Sequence, residues 1–288
     1  MHYLVITGGA PISDDVGAAA HLALSLVNIS AEEPNRLAAD AIEIAFRGDA
    51  VAALGAARAQ FAGAALDCNT VPAANRRKRL LICDMDSTII PVECIDEIAD
   101  FAGVKPRVAE ITERAMRGEL DFEAALRERV GLLTGLSVDA LQQTYDERIT
   151  LNPGAAEMVS VMRGQGAFTA LVSGGFTYFT EKVAADAGFE YNQANTLLVE
   201  NGALTGVPGV PILGKQAKLD ALNALCNQIG ANADDAVAVG DGANDLAMIN
   251  ASGLGIAYRA KPTVAAEADA RLDHSDLTAV LRLQGIPA

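Results

Sequence analysis

The 288-residue chain has no tryptophan, and aromatic residues make up only 5% of it, so its core has to be built mainly from aliphatic side chains. Its four cysteines, Cys68, Cys83, Cys94 and Cys226, form no CxxC pair, which argues against a zinc site or a redox dithiol. Reduced thiols are expected, with Cys83 buried inside an apolar run. No run of about 18 apolar residues occurs, and Met1-His2-Tyr3-Leu4-Val5-Ile6 breaks at Gly8-Gly9 without a basic n-region. A cytoplasmic location with no membrane partner is therefore the expectation. Positive charge is scarce: Lys+Arg 22 against Asp+Glu 37 leaves a formal net charge of -15, which repels a nucleic-acid backbone at long range and excludes it as a partner. An anionic ligand would need positive charge gathered locally, from a metal, a few Lys or Arg, or helix N-termini.

What is present is globular. Hydrophobic residues at 51% against 20% charged exclude a disordered chain, and the length suits one large domain or two ordinary ones. Residues 1–75 read as a small α+β unit. It has a strand over 3–7, an amphipathic helix over about 14–27, and a strand with Ile42, Ile44 and Phe46 on one face. A helix over about 49–62 and a strand near 66–71 complete it. The stretch Val71-Pro72-Ala73-Ala74-Asn75 and the basic run Arg76-Arg77-Lys78-Arg79 read as a boundary, the run as a solvated lead-in to the next strand. From Leu80 onward, short apolar runs at 80–83, 169–172, 236–239 and 254–257 alternate with helical stretches. That is the pattern of an α/β fold with a Rossmann-like parallel sheet. Between the first two runs, about 94–150, the spacing is helical throughout, as in Ile95, Ile98, Ala102 and again Val108, Ile111, Ala115, so a helical cap is inserted after the first strand of the sheet. Asn201-Gly202 between Val199 and Leu204 predicts a type I′ hairpin.

Three of the apolar runs end in polar residues: Asp84-Met85-Asp86-Ser87-Thr88, Ser173-Gly174-Gly175, and Gly240-Asp241-Gly242-Ala243-Asn244-Asp245. In open α/β sheets ligands sit outside the carboxyl ends of the strands, so these ends can meet in one site. Carboxylates on alternate residues leaving a strand have separate jobs available: Asp84 as nucleophile toward phosphorus, Asp86 as general acid toward the leaving oxygen. An anion attacking a phosphate needs a cation between them, and with Asp241 the pocket suits Mg²⁺. Asp245 would order the metal's water shell or a neighbouring lysine, the bland alternative for Asp241 and Asp245 being helix capping. Ser173 and the two glycines, ahead of a helix with Phe176, Phe179 and Val183 on one face, read as a phosphate cradle. Lys218 continues the stripe Lys218, Leu222, Leu225, Ile229 and should point inward, whereas Lys215 should stay in solvent.

Together the DMDST, SGG, lysine and GDGAND elements resemble the four motifs of the haloacid dehalogenase (HAD) superfamily of phosphohydrolases. From about Leu80 to the C-terminus the chain resembles that superfamily's bacterial phosphoserine phosphatase family, which implies hydrolysis of O-phospho-L-serine to L-serine and phosphate, the last step of serine biosynthesis. The boundary stretch places the domains at 1–75 and 76–288, and the resemblance implies an aspartyl-phosphate on Asp84 and acid/base work by Asp86. It also implies Mg²⁺ held by Asp84, the Asp86 carbonyl and Asp241, with Asp245 in the metal set, and phosphate held by Ser173, Gly174, Lys218 and Asn244. From the cap it implies Glu93 and Arg129 on the amino acid's ammonium and carboxylate, against an apolar wall of Met116 and Phe122. Spacing adds that Phe122, Leu126 and Arg129 share a helix face, although spacing alone favours an arginine stem snorkelling along a helix edge.

Hydrolysis would require the cap to open, on hinges near Ile90-Pro91 and Leu151-Asn152-Pro153-Gly154. Rival readings are a phosphatase or phosphotransferase acting on another small phosphorylated metabolite, and an amino-acid sensor with a vestigial core. Residues 1–75 faintly resemble ACT-like regulatory domains; shielding of the core, assembly into a homodimer and serine feedback are the roles open to them.

Overall fold

A computed structural model describes residues 1–116 and 119–287, the side chain of Met116 excepted. The chain begins with β1 (His2–Gly8), α1 (Asp14–Leu26), β2 (Ser30–Ala31), β3 (Asn35–Ala38), β4 (Ala41–Arg47), α2 (Ala50–Gln60) and β5 (Leu66–Pro72). The strands form one antiparallel sheet in which β1 lies between β4 and β5. Strand alternation divides β1 between two cores. Leu4 and Ile6 face α1 and α2 with Leu24, Ile44, Phe46 and Ala53, whereas Val5 packs with Val280 and Leu283 of the C-terminal region. A sheet buried on both faces explains why Leu4-Val5-Ile6 is apolar throughout.

The second sheet is six-stranded and parallel. Its elements are β6 (Leu80–Cys83), the helices α3 (Cys94–Phe101), α4 (Lys105–Met116), α5 (Phe122–Gly131), α6 (Val138–Arg148) and α7 (Ala155–Gly164), then β7 (Phe168–Phe176), α8 (Thr177–Ala187) and β8 (Tyr191–Asn195). A hairpin, β9 (Leu197–Glu200) and β10 (Ala203–Pro208), precedes α9 (Lys215–Gln228), β11 (Ala236–Gly240), α10 (Leu246–Ala251), β12 (Leu254–Tyr258), α11 (Pro262–Glu267), β13 (Ala270–Leu272) and α12 (Ala279–Leu283). The strand order β13-β12-β11-β6-β7-β8 reverses direction at β6, so the crevice where ligands bind such sheets opens between the ends of β6 and β11.

Helices α3 to α6 form the cap. The hairpin turns at Asn201 (φ 51) and Gly202 (φ 78), as the Asn-Gly pair predicts, and joins the cap through Gly135 N–H to Leu204 O and Val138 N–H to Gly202 O. The two passages between core and cap run side by side: Asn152 donates from its backbone to Ile89 O and from Nδ2 to Thr88 O.

The basic run differs from the solvated lead-in expected of it. Arg76 pairs with Glu43 at 2.7 Å with both side chains nearly buried, lies over the Tyr3 ring, and donates to Leu283 O. Lys78 is buried and donates to Asp234 O, and Arg79 donates to Gly230 O and Ile229 O. These partners lie far away in sequence, so Arg76 and Lys78 lose the exposed character that a local reading assigns to all four, while Arg77 and Arg79 keep it. Along the sheet edge, the Asn69 side chain accepts from Arg271 N–H and donates to Arg271 O as a neighbouring strand would, which covers β13.

Candidate active site

Strand β6 delivers Asp84 and β11 delivers Asp241 because the two strands are adjacent and in register, Cys83 opposite Val239. Beyond Asp84 the chain makes a tight turn over 85–89, with Ser87 in the left-handed region (φ 57) and Ile90 N–H bonded to Met85 O. The turn brings Asp86 back over the sheet and sets Ser87 Oγ to donate to Glu93 at 2.9 Å. Thr88, fully buried, donates from Oγ1 to Asp241 Oδ1 at 3.4 Å.

Asp84, Asp241 and Asp245 each present a carboxylate oxygen, and these atoms lie within 4.8 Å of one another. Lys218, 2% exposed, enters from α9 as its stripe predicts, while Lys215 is exposed. The Lys218 ammonium sits 2.7 Å from Asp84 Oδ1 and donates to Asp245 Oδ1 at 2.5 Å. Asp84 Oδ1 also accepts Met85 N–H, so its contacts fall on one oxygen. Asp245 stands at the N-cap of α10 but its side chain makes no capping hydrogen bond there: its Oδ2 accepts the N–H groups of Asp241 and Gly242, tying the loop after β11 to the lysine. Asn244 folds back over Gly242, where a side chain would collide with its Oδ1.

Burial dominates the electrostatics. It raises the Asp84 carboxyl well above the usual range, with the Asp245 charge adding to it and Lys218 opposing. Burial and then Glu93 raise Asp86 to about 7, against the N–H of Cys94 and the Lys218 charge. Burial and Asp245 raise Asp241 to about 6. Burial works against the Lys218 ammonium, but the carboxylates of Asp84 and Asp245 more than offset it, and its affinity for the proton rises.

Ser173, where the pairing of β7 becomes irregular, donates to Asp86 Oδ2 at 3.4 Å and accepts Gly175 N–H at 2.8 Å. Here the structure departs from the expected helix-start cradle, because β7 runs on with an irregularity to Phe176 and α8 begins at Thr177. The glycines serve close approach instead. A Cβ on Gly175 would stand 2.7 Å from Asp86 Oδ2, and one on Gly174 3.4 Å from the Phe122 ring. That ring also closes on Gly214, so the first residue of α5 seats the cap on both core loops. Arg129 is half-buried in the cap and donates to Ala125 O and Thr112 Oγ1. Burial lowers its pKa, and Asp96, Glu93 and Asp86 oppose that, so the guanidinium faces the acidic side of the crevice. The Met116 side chain lies outside the described residues.

Local reading missed Asn195 altogether, and it gave Thr88, Gly175 and Asn152 as members of a motif, a cradle and a hinge without the contacts they make here. Asn195, buried at the end of β8, donates to Gly174 O and Leu213 O and accepts Leu213 N–H, which locks the Ser173 loop to the loop before Lys218. Its only signal in the sequence is an amide inside a polar strand.

Fold and site together define a capped α/β hydrolase with an acidic centre at the switch point of its sheet. The chain belongs to the haloacid dehalogenase-like hydrolase family, whose model matches residues 81–250. It is 44% identical over 210 residues to a phosphoserine phosphatase of Polaromonas sp. strain JS666, covering 71% of this chain and 89% of that one. Among solved structures it is similar to a probable phosphoserine phosphatase from Vibrio cholerae in unliganded form, with TM-score 0.83 and 34% identity over 98% of this chain and 86% of that one. A substrate-bound phosphoserine phosphatase complex matches with TM-score 0.67 and 40% identity over 72% of this chain and 98% of that one. Among the described residues no helix is long and apolar enough to cross a membrane.

Proposed function

We propose that the protein hydrolyses O-phospho-L-serine to L-serine and phosphate through a phosphorylated Asp84. The reading is carried by two carboxylates on alternate residues with different environments: Asp84 held on Lys218 through one oxygen, and Asp86 near neutrality beside Ser173. Asp84 Oδ2, which carries no hydrogen bond among the described residues, attacks phosphorus in line while protonated Asp86 donates to the departing serine oxygen. Asp86, now ionised, takes a proton from the water that cleaves the aspartyl-phosphate. Its value of about 7 suits both duties. Ser173, Gly174, Asn244 and Lys218 hold the phosphoryl oxygens, and cap opening on the paired passages at 89–90 and 151–154 admits the water.

Several buried carboxylates against one lysine leave negative charge to be balanced, and hard oxygen donors fit a magnesium ion. Asp84, the Asp86 carbonyl and Asp241 would hold it, with Asp245 behind them, its oxygens already given to Lys218 and two N–H groups. When bound, the ion neutralises the pocket and polarises a phosphoryl oxygen.

This charge balance has a measurable pH dependence. Asp86 and Asp241 both have folded-state pKa values raised above the ordinary carboxyl value, to about 7 and about 6. The folded chain therefore binds more protons than the unfolded one between roughly pH 4 and 7, and metal-free stability falls as pH rises through that window. Mg²⁺ restores it, so the rise in melting temperature on adding Mg²⁺ is expected to be larger at about pH 8 than at about pH 5. An increment that does not change with pH would remove these two carboxylates from the ion's site.

The substrate assignment rests on Arg129 holding the carboxylate and Glu93 the ammonium of the bound amino acid. Arg129→Ala is expected to lower kcat/KM for O-phospho-L-serine by roughly 10- to 100-fold, the value of a charge-assisted hydrogen-bond pair, and to leave phosphoethanolamine, which has no carboxylate, nearly unaffected. Equal losses on both substrates would point instead to another small phosphate ester.

A further inference from the structure

We propose that the junction between the N-terminal sheet and the parallel-sheet core binds a small dianion, a phosphate group or a short dicarboxylate, between Arg58 and Arg271. Helix α2 brings Arg58 and the edge strand β13 brings Arg271 to one cavity of about 140 Å³, which His274, Asp273 and the loop at 61–64 also line. Arg58 is half-buried. Its Nε donates to Cys68 O at 3.3 Å, and no carboxylate among the described residues forms an ion pair with it. Two guanidiniums thus converge from opposite sides of the junction, and Arg58 loses proton affinity first to burial and then to the Arg271 charge.

The acids nearby do not relieve this. Asp67 spends both oxygens on the N–H groups of Asp273, His274 and Ser275 and on the Ser275 hydroxyl. Asp273 is 3.5 Å from Arg271 Nε, a loose pair with both side chains substantially exposed, which leaves the rest of the Arg271 fork for a second anion. An arginine fork matches the planar oxygens of a carboxylate or the edge of a phosphate, and the cavity admits either while excluding a nucleotide. One arginine comes from α2 of the N-terminal unit and the other from β13 of the parallel-sheet core, so an anion bound there also ties the two together, and its binding energy adds to the stability of the docked chain.

The full-length chain, its Arg58→Gln variant and its Arg271→Gln variant would be titrated with inorganic phosphate and, separately, with malonate, following thermal unfolding at constant ionic strength set with sodium chloride. The expected result is a saturable rise in the midpoint of the native chain, shifted to at least tenfold higher concentration in both variants. Removing one of two facing like charges should also leave the anion-free midpoint of Arg58→Gln equal to or above that of the native chain, where a purely structural arginine would lower it. Phosphate and malonate arms that differ identify which oxygen geometry the site takes. The catalytic centre, which also takes phosphate, does not depend on Arg58, so the part of the response that both variants lose belongs to the junction. If native and variant chains respond alike, or neither probe gives a saturable rise, the site does not exist. Arg271→Gln carries the test if Arg58→Gln does not fold.

Discussion

Asp84→Asn is expected to leave a folded chain that releases phosphate from O-phospho-L-serine at least about 10⁴-fold more slowly, because the amide keeps the size of the carboxylate and loses its nucleophilicity. Folding should survive for an electrostatic reason. Burial and the Asp245 charge both disfavour the ionised Asp84 carboxyl, so removing that charge relieves a cost while Lys218 keeps its bond to Asp245. Denaturant unfolding should therefore show stability equal to or above that of the native chain. Rapid quenching during turnover should recover a phosphorylated native protein, detectable by mass, and none from the variant. Turnover by the variant within tenfold of native, with folding intact, would assign the attack to another group.

The second large effect falls on stability as well as rate. Lys218→Met removes the one cation that, among the described residues, is bonded to Asp84 and Asp245, which are 4% and 0% exposed. Breaking a buried pair by deleting one partner strands the other charge, and the expected cost is about 3–5 kcal/mol in denaturant unfolding. Turnover should fall by on the order of 10²- to 10³-fold, since a fixed positive charge on the transferring phosphoryl group is lost. The double variant Lys218→Met/Asp245→Asn separates the two effects. With the stranded carboxylate neutralised, much of the stability should return, and turnover should not. A double variant as unstable as the single one would mean that Lys218 matters through packing of its stem rather than through its charge.

Much of this centre is legible one strand at a time. Asp84, Asp86, Ser173, Asp241 and Lys218 stand out because polar residues directly after short apolar runs have few structural reasons to be there, and because the stripe continuing Lys218 turns inward. The cap is legible because helical spacing persists over 94–150 with no strand signal. The edge strands are less so. Strand β8 reads Tyr-Asn-Gln-Ala-Asn and β13 has three residues, since an edge strand needs no apolar residues on both faces. Asn195 and Asn69 act through long-range hydrogen bonds, which no local pattern encodes. The basic run at 76–79 was legible only as charge, because its partners Glu43, Leu283 O and Asp234 O are brought to it by folding.

By itself, then, the sequence determined the alternation of strand and helix, the insertion of a cap and the identity of the acidic and lysine residues, because periodicity and strand-end chemistry are local properties. Tertiary structure alone decided how those residues differ from one another. Desolvation and the neighbouring Glu93 raise Asp86 to about 7, a shared lysine engages one oxygen of Asp84, and Phe122 closes on two glycines of separate loops. Charge–charge energies and steric closure depend on distance through space, and distance through space is set only when the sheets have packed.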